Sequence, residues 1–266
     1  MFIRFLNWTA WEMTPPPAYG SFHLTFFFVG LALSIFLAWR LRKLNDKQNR
    51  FLLIGIGLLL ILFEVYKISF RYFVVYNRDI SKIWWLFPFQ LCSIPMFLCV
   101  IAPLLKNKTV SGAMYDFMLA FNLFGGFIAF TEPSGLVHNY WTLTIHAFVW
   151  HMTLVFVGLY LGFSGRAGLK LENYKRAVLL YLVLCGIAFG INCAFWKVSG
   201  GSMNNFYIGP ANSPLIVFKA ICQRYGWFIN DLIYIPLMCL GAFLFYAPFC
   251  LFRKKFPIRR KPHPVT

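Results

Sequence analysis

Acidic residues are scarce in this chain: Asp and Glu together number eight in 266 residues, and all charged residues make up only 12%. A soluble domain carries about 25%, so most of this surface does not face water. A CxxC pair is also missing, and the seven cysteines are dispersed through apolar runs. That pattern argues against a disulfide framework, a zinc ribbon and a thiol–quinone oxidoreductase. No internal repeat is present, so the inverted-repeat signature of many transporters is lacking. The last apolar run, 227–251, holds no lysine, which excludes a retinal-type receptor or pump. No cleavable signal peptide is expected. The first apolar run follows Pro15-Pro16-Pro17, is too long for a signal core and has no small-residue cleavage site behind it.

What the chain does have is apolar length. Sixty per cent of it is hydrophobic and 20% aromatic, in blocks of about 20 residues or more, the length that crosses hydrocarbon. The sequence predicts an all-α, polytopic membrane bundle of about seven helices, near 20–41, 51–72, 84–104, 110–131, 141–163, 177–197 and 227–251. The expected division is an interfacial N-terminal segment 1–18, a transmembrane domain 19–251 and a basic tail 252–266. Of the 25 Lys and Arg, 17 lie in segments 40–50, 105–109, 164–176 and 252–266, and seven lie on the opposite side. The basic side is read as cytoplasmic, which puts the N-terminus out and the C-terminus in, within a cell membrane. The net charge of +17 therefore points to anionic headgroups rather than nucleic acid. Residues 198–226 form the longest connection, irregular through Gly200-Gly201, Asn204-Asn205 and Pro210, with a short helix expected from Pro214 to Gln223. Gly186 and Gly190 form a GxxxG, a spacing expected to serve close helix packing.

Polar side chains inside hydrocarbon are costly and default to functional candidates. Counting about 1.5 Å per residue from the outer end of each span, Cys92 lies about 12 Å in and His151 about 15 Å in. Glu64 and Asn122 fall within about 12–14 Å, and Asn192 somewhat nearer the surface. Five helices are thus expected to bring polar groups to one level. Pro88 and Pro95 flank Cys92, and on a continuous helix Pro95 leaves the Leu91 carbonyl without its partner. Bland readings stand beside these. A buried cysteine is usually a small hydrophobe, asparagines serve as interhelical glue, and Glu64, Lys67 and Arg71 share a helix face where their charges offset one another.

His146 and His151 are five residues apart and point to different faces, so no metal is expected, and nothing calls for a cofactor. Two classes remain. One is nucleophilic catalysis by a Cys/His pair, in which His takes the thiol proton and the thiolate attacks an ester. The other is transport or lipid binding without chemistry, in which the polar level is a solute path.

Pro88-Phe-Gln-Leu-Cys92 resembles the Pro-Leu-His-Leu-Cys signature of the transmembrane protein 164 family, which includes the bacterial YwaF-like membrane proteins. Tyr19-Gly-Ser-Phe-His23-Leu is similar to that family's opening histidine segment. Phe121-Asn-Leu-Phe-Gly-Gly126 with Glu132-Pro133 resembles its Gly-rich fourth span. The run from His151 to Tyr160 looks like its histidine span, and Asn205-Phe-Tyr207 and Tyr246-Ala-Pro-Phe249 resemble elements near its end. The vertebrate member is a lipid acyltransferase working through a cysteine assisted by a histidine. The resemblance therefore implies Cys92 as nucleophile, His151 as its partner, and membrane phospholipids or lysophospholipids as substrates. A hydrolase using the same pair is a near rival. His23, Glu64, Gln90, Asn122, Asn192 and Asn205 are the expected substrate-orienting residues. The chain departs from the family where Gln90 replaces a histidine and Ser134 an acidic residue.

Overall fold

The computed structural model describes residues 1–255, so most of the expected basic tail, 256–266, lies outside the described residues. Helix α1 (Phe2–Trp8) precedes α2 (Ser21–Leu41) and α3 (Asp46–Phe70), which runs on into a π-helical turn, Arg71–Val75. Then come α4 (Ile94–Ile101), α5 (Lys108–Phe117), a π-helical turn at Met118–Asn122 and α6 (Leu123–Thr131). Helices α7 (Trp141–Phe163), α8 (Tyr174–Ala194) and α9 (Ile216–Lys255) complete the bundle. Among the described residues, six helical stretches are long and apolar enough to cross a membrane. The protein is an all-helical, multi-pass membrane protein.

Local chemistry sets the boundaries. Asn45 and Gln48 form a reciprocal capping box that starts α3, and the Asn107 side chain accepts from Thr109 and Val110 N–H at the start of α5. α9 is broken at Gly226, whose φ of 83° only glycine adopts freely, so the short helix expected after Pro214 and the final span are two rods in one continuous segment. Outward faces are apolar: Leu62, Leu179 and Leu244 are 66%, 65% and 63% exposed, as residues that meet lipid rather than water would be.

Contacts define two ends. At the near end, Thr9 bonds Tyr66 (2.7 Å), Trp141 N–H donates to Trp11 O (2.9 Å), and Tyr19 OH donates to Thr131 O (2.6 Å). At the far end, Asp116 accepts from Gly168 N–H, the Tyr246 hydroxyl and Arg176, tying α5, α8, α9 and the 164–173 connection together. Arg166 there pairs with Asp46 and caps the Leu44 carbonyl.

Two expectations are corrected. The segment 84–104 is not one helix: only Ile94–Leu104 is a continuous apolar helix, and the chain before it is irregular, with short 3-10 turns at Ile80–Lys82 and Trp84–Leu86. The reason is proline placement, since Pro88 sits in non-helical chain and Pro95 in the first turn of α4, where a missing N–H costs nothing. Gly186 and Gly190 pack nothing; both face outward with open space where a Cβ would stand. Close approach is made elsewhere. A Cβ on Gly57 would lie 2.9 Å from Met96 O, and one on Gly126 would lie 2.9 Å from His151 O.

Gly126→Ala should therefore lower Tm measurably in detergent, since overpacking costs about 1–3 kcal/mol. Gly186→Ala should leave Tm unchanged or raised. Thermal unfolding of the two variants side by side checks this, and equal losses would show that the GxxxG is packed after all.

Candidate functional site

Cys92 lies in a turn, not in a helix. Gln90 O accepts from Ser93 N–H (2.8 Å) and Ile94 N–H (3.2 Å), and this turn feeds α4. Cys92 and Cys99 thus share no helical stripe, and the Leu91 carbonyl is not the orphan of a proline kink. Cys99 is fully buried in the core with its thiol 3.7 Å from Met118 Sδ, whereas Cys92 is half-buried.

The turn is clamped against the 199–213 connection, which folds back into the bundle. Gln90 Nε2 donates to Asn204 O (2.8 Å) while its Oε1 accepts from Phe206 N–H (3.0 Å). Asn192, on α8, donates to Asn205 O and Ile208 O and accepts from both nitrogens of Asn205, at 2.8–2.9 Å throughout. Asp231 accepts from Gly209 N–H (2.7 Å). These bonds hold Phe206 and Tyr207 at φ of 56° and 58°, a left-handed pair that costs about 1–3 kcal/mol per residue. The Phe206 ring lies against Phe89 and Tyr181, and the Tyr207 ring stacks on Trp85. Burial, and then the proximity of Cys92, push the Tyr207 phenol well up, so it remains a hydroxyl donor beside the thiol.

Helix α7 supplies the third clamp. Trp150 Nε1–H donates to the Cys92 carbonyl (3.0 Å). The Lys67 ammonium lies 5.9 Å from the Trp150 ring and reaches both Glu64 oxygens at 2.7 Å. The His146 ring stacks on the Trp150 ring with centroids 5.5 Å apart. His151, next in sequence to Trp150, has Nδ1 2.8 Å from Ala147 O. A carbonyl only accepts, so Nδ1 carries the proton and Nε2 the lone pair. Among the described residues no hydrogen bond joins His151 to the Cys92 thiol. At the near end Arg71 Nη2 lies 3.3 Å from His138 Nε2. Burial, then the charges of Arg71 and Lys67, push His138 down to about 4, so it is neutral at pH 7.

The structure thus gathers Gln90, Asn192 and Asn205 around the Cys92 turn, with Glu64 reaching it through Lys67 and Trp150. His23 and Asn122 are placed elsewhere. His23 accepts from Tyr19 N–H (3.0 Å), stacks on Phe130 and meets Phe148, with Nε2 buried and without a hydrogen bond among the described residues. Asn122 is buried in the second π-helical turn, with neither amide atom hydrogen-bonded among the described residues. Its neighbour Leu123 packs on Gly158, about 10 Å along α7 from His151. Asn122 is therefore not level with His151, because the near-end termini of α6, at Thr131, and of α7, at Trp141, stand at different heights. Lys67, Trp150, Asn204 and Tyr207 join this arrangement, although none of them was among the expected site residues. Lys67 alone left a signal, a cation inside an apolar run.

The sequence model of the TMEM164 family matches residues 18–246. The chain belongs to the TMEM164 family. The match takes in the Cys92 turn, His151 and the buried 199–213 connection, so the clamped arrangement lies wholly within the family region. No curated protein and no solved structure matches the chain.

Replacing Gln90 with Leu leaves Asn204 O and Phe206 N–H buried without partners, at about 1–3 kcal/mol each. Hydrogen exchange of residues 203–209 should accelerate in Gln90→Leu by tenfold or more, by roughly 1.4 kcal/mol per decade, while α7 stays protected. Unchanged exchange in the loop would mean that Gln90 does not hold it.

Proposed function

We propose that this protein is a membrane-embedded acyltransferase that moves a fatty acyl chain between membrane lipids through a thioester on Cys92, with His151 as the proton carrier. The observation that carries the reading is the bond from Trp150 to the Cys92 carbonyl, which ties the thiol's turn to the residue beside His151. Membership of the TMEM164 family supports it. So does the tautomer of His151, whose Nε2 lone pair is free to act as base. Nε2 takes the thiol proton as sulfur attacks the ester carbonyl of a phospholipid. The ester C–O bond breaks, the departing alkoxide takes that proton, and the acyl group stays on sulfur. The hydroxyl of a lysophospholipid then gives its proton to Nε2, attacks the thioester and restores the thiol. Tyr207 and the Lys67 ammonium are the groups available to meet negative charge developing near the turn.

The test is a clickable acyl phospholipid presented in bilayers. Wild type should acquire a hydroxylamine-labile label and pass it to added lysophospholipid. Cys92→Ser should do neither, Cys99→Ser should do both, and His151→Ala should be slower by about 10²–10⁴-fold. Label on wild type that passes only to water would make the protein a lipid hydrolase using the same pair. No label, with all variants folded, moves the transport or lipid-binding reading ahead.

The proposal includes orientation. The far end, with Arg42, Lys43, Lys106, Arg166 and Arg176 in or beside its connections, faces the cytoplasm of a cell membrane, leaving the Cys92 turn in the outer half. Single-cysteine labelling by an impermeant reagent should reach residues 77–82 from outside and residues 43–46 only after permeabilisation. The reverse pattern would move the site to the inner leaflet.

A further inference from the structure

Arg71 opens the π-helical turn at the end of α3, half-buried, and among the described residues no carboxylate pairs with it. Its Nη2 faces the neutral His138 imidazole at 3.3 Å, its Nη1 is 3.4 Å from the Tyr76 hydroxyl, and its Nε is buried without a partner. Ion pairs among the described residues join Lys67 to Glu64, Lys82 to Asp79, Arg166 to Asp46 and Arg176 to Asp116, and none includes Arg71. Lys67 lies four residues before it, on the same face of α3, and Glu64 offsets one positive charge of the two. His146 adds a buried Nε2 with no hydrogen bond among the described residues. A guanidinium partly withdrawn from water is costly to leave unpaired, and its planar fork matches the oxygens of a carboxylate or phosphate.

The position of this cation decides what would fill it. The Lys67 ammonium lies over the Trp150 ring, and the same indole donates to the Cys92 carbonyl. A phosphodiester and an acyl ester on one glycerol are separated only by the three-carbon backbone. Phosphate at the near-end cations therefore sets the ester toward the Cys92 turn, with the acyl chain left to the apolar side of the bundle.

We propose that Arg71, with Lys67 beside it, is the seat for the phosphoryl group of the glycerophospholipid substrate, making the protein selective for phosphate-bearing lipids over neutral glycerides. This rests on the acyl-transfer reading for why the lipid is held there. Arg71 is a binding residue; Lys67 both binds and is held in place by Glu64.

The test uses Cys92→Ala protein in detergent, which binds without turning over, so the outcome stands apart from whether Cys92 carries acyl groups. Radiolabelled oleoyl-lysophosphatidylcholine is competed with the unlabelled lipid, with mono-oleoylglycerol, or with inorganic phosphate in large excess. Mono-oleoylglycerol should compete at least about tenfold more weakly than the lysophospholipid, and inorganic phosphate hardly at all. Adding Arg71→Gln should weaken lysophospholipid binding by about tenfold or more and abolish the preference. Arg71→Lys should keep part of it, and Lys82→Gln, an exposed cation at the same end, should keep all of it. Equal competition by the two lipids needs no variant to read and would overturn the proposal, as would Arg71→Gln binding like its parent. Displacement by inorganic phosphate would overturn the lipid as the anion's source. Intact selectivity alongside a Cys92 that takes no acyl label would sink the catalytic reading and leave the phosphate seat standing.

Discussion

Backbone amides and carbonyls that leave a helix inside a bilayer have no water to turn to, and the rest of this architecture follows from how that debt is met. Two stretches leave helical geometry within the bundle: the turn that carries Cys92 and the connection after α8. Each supplies polar groups that the other, or a neighbouring helix, satisfies. Gln90 reads the second from the first, Asn192 threads four bonds through Asn205 and Ile208, and Trp150 reaches the Cys92 carbonyl. The amides and the indole are therefore structural and positioning groups together. Irregular backbone is tolerated at this depth because side chains with two-sided hydrogen bonding stand beside it.

The spans were legible where apolar runs were long: α7 begins and ends where its run does, whereas α3 starts at Asp46, five residues before its expected span, because the Asn45 cap carries the helix into polar sequence. The third span was not, because residues 84–93 are as apolar as a helix while Pro88 and the bonds from Gln90 to a distant loop hold them irregular. Depth counted from span ends placed Asn122 level with His151, yet Leu123 sits against Gly158. Sequence gives distance along one helix but not the offset between two. The GxxxG misled for a related reason, since spacing reveals a small-residue face without saying what stands opposite.

Charge is handled differently at the two ends. Asp116 and Asp46 at the far end each meet an arginine, and Asp116 also takes a backbone N–H and a phenol, so four segments are fastened by one carboxylate. The near end pairs Glu64 with Lys67 and leaves Arg71 to a neutral imidazole. At the far end each of the two aspartates has its arginine, although most of the chain's basic residues lie there. At the near end it is an arginine, Arg71, that has no ion pair among the described residues.

The half-length helix Ile94–Leu104 has a consequence for how the protein is made. At about 16 Å it reaches barely half of a hydrocarbon core about 30 Å thick, so it has no stable place in a bilayer by itself. The groups that complete the crossing, Asn204 O and Phe206 N–H, emerge from the ribosome 114 and 116 residues after Gln90. Until α8 has been inserted and the chain beyond it folds back, the segment bearing Cys92 is an unfinished passage, sheltered only by its neighbours. Assembly of the Cys92 turn is thereby coupled to near-completion of synthesis, and a nascent chain cut short before residue 206 carries Cys92 without the connection that clamps its turn.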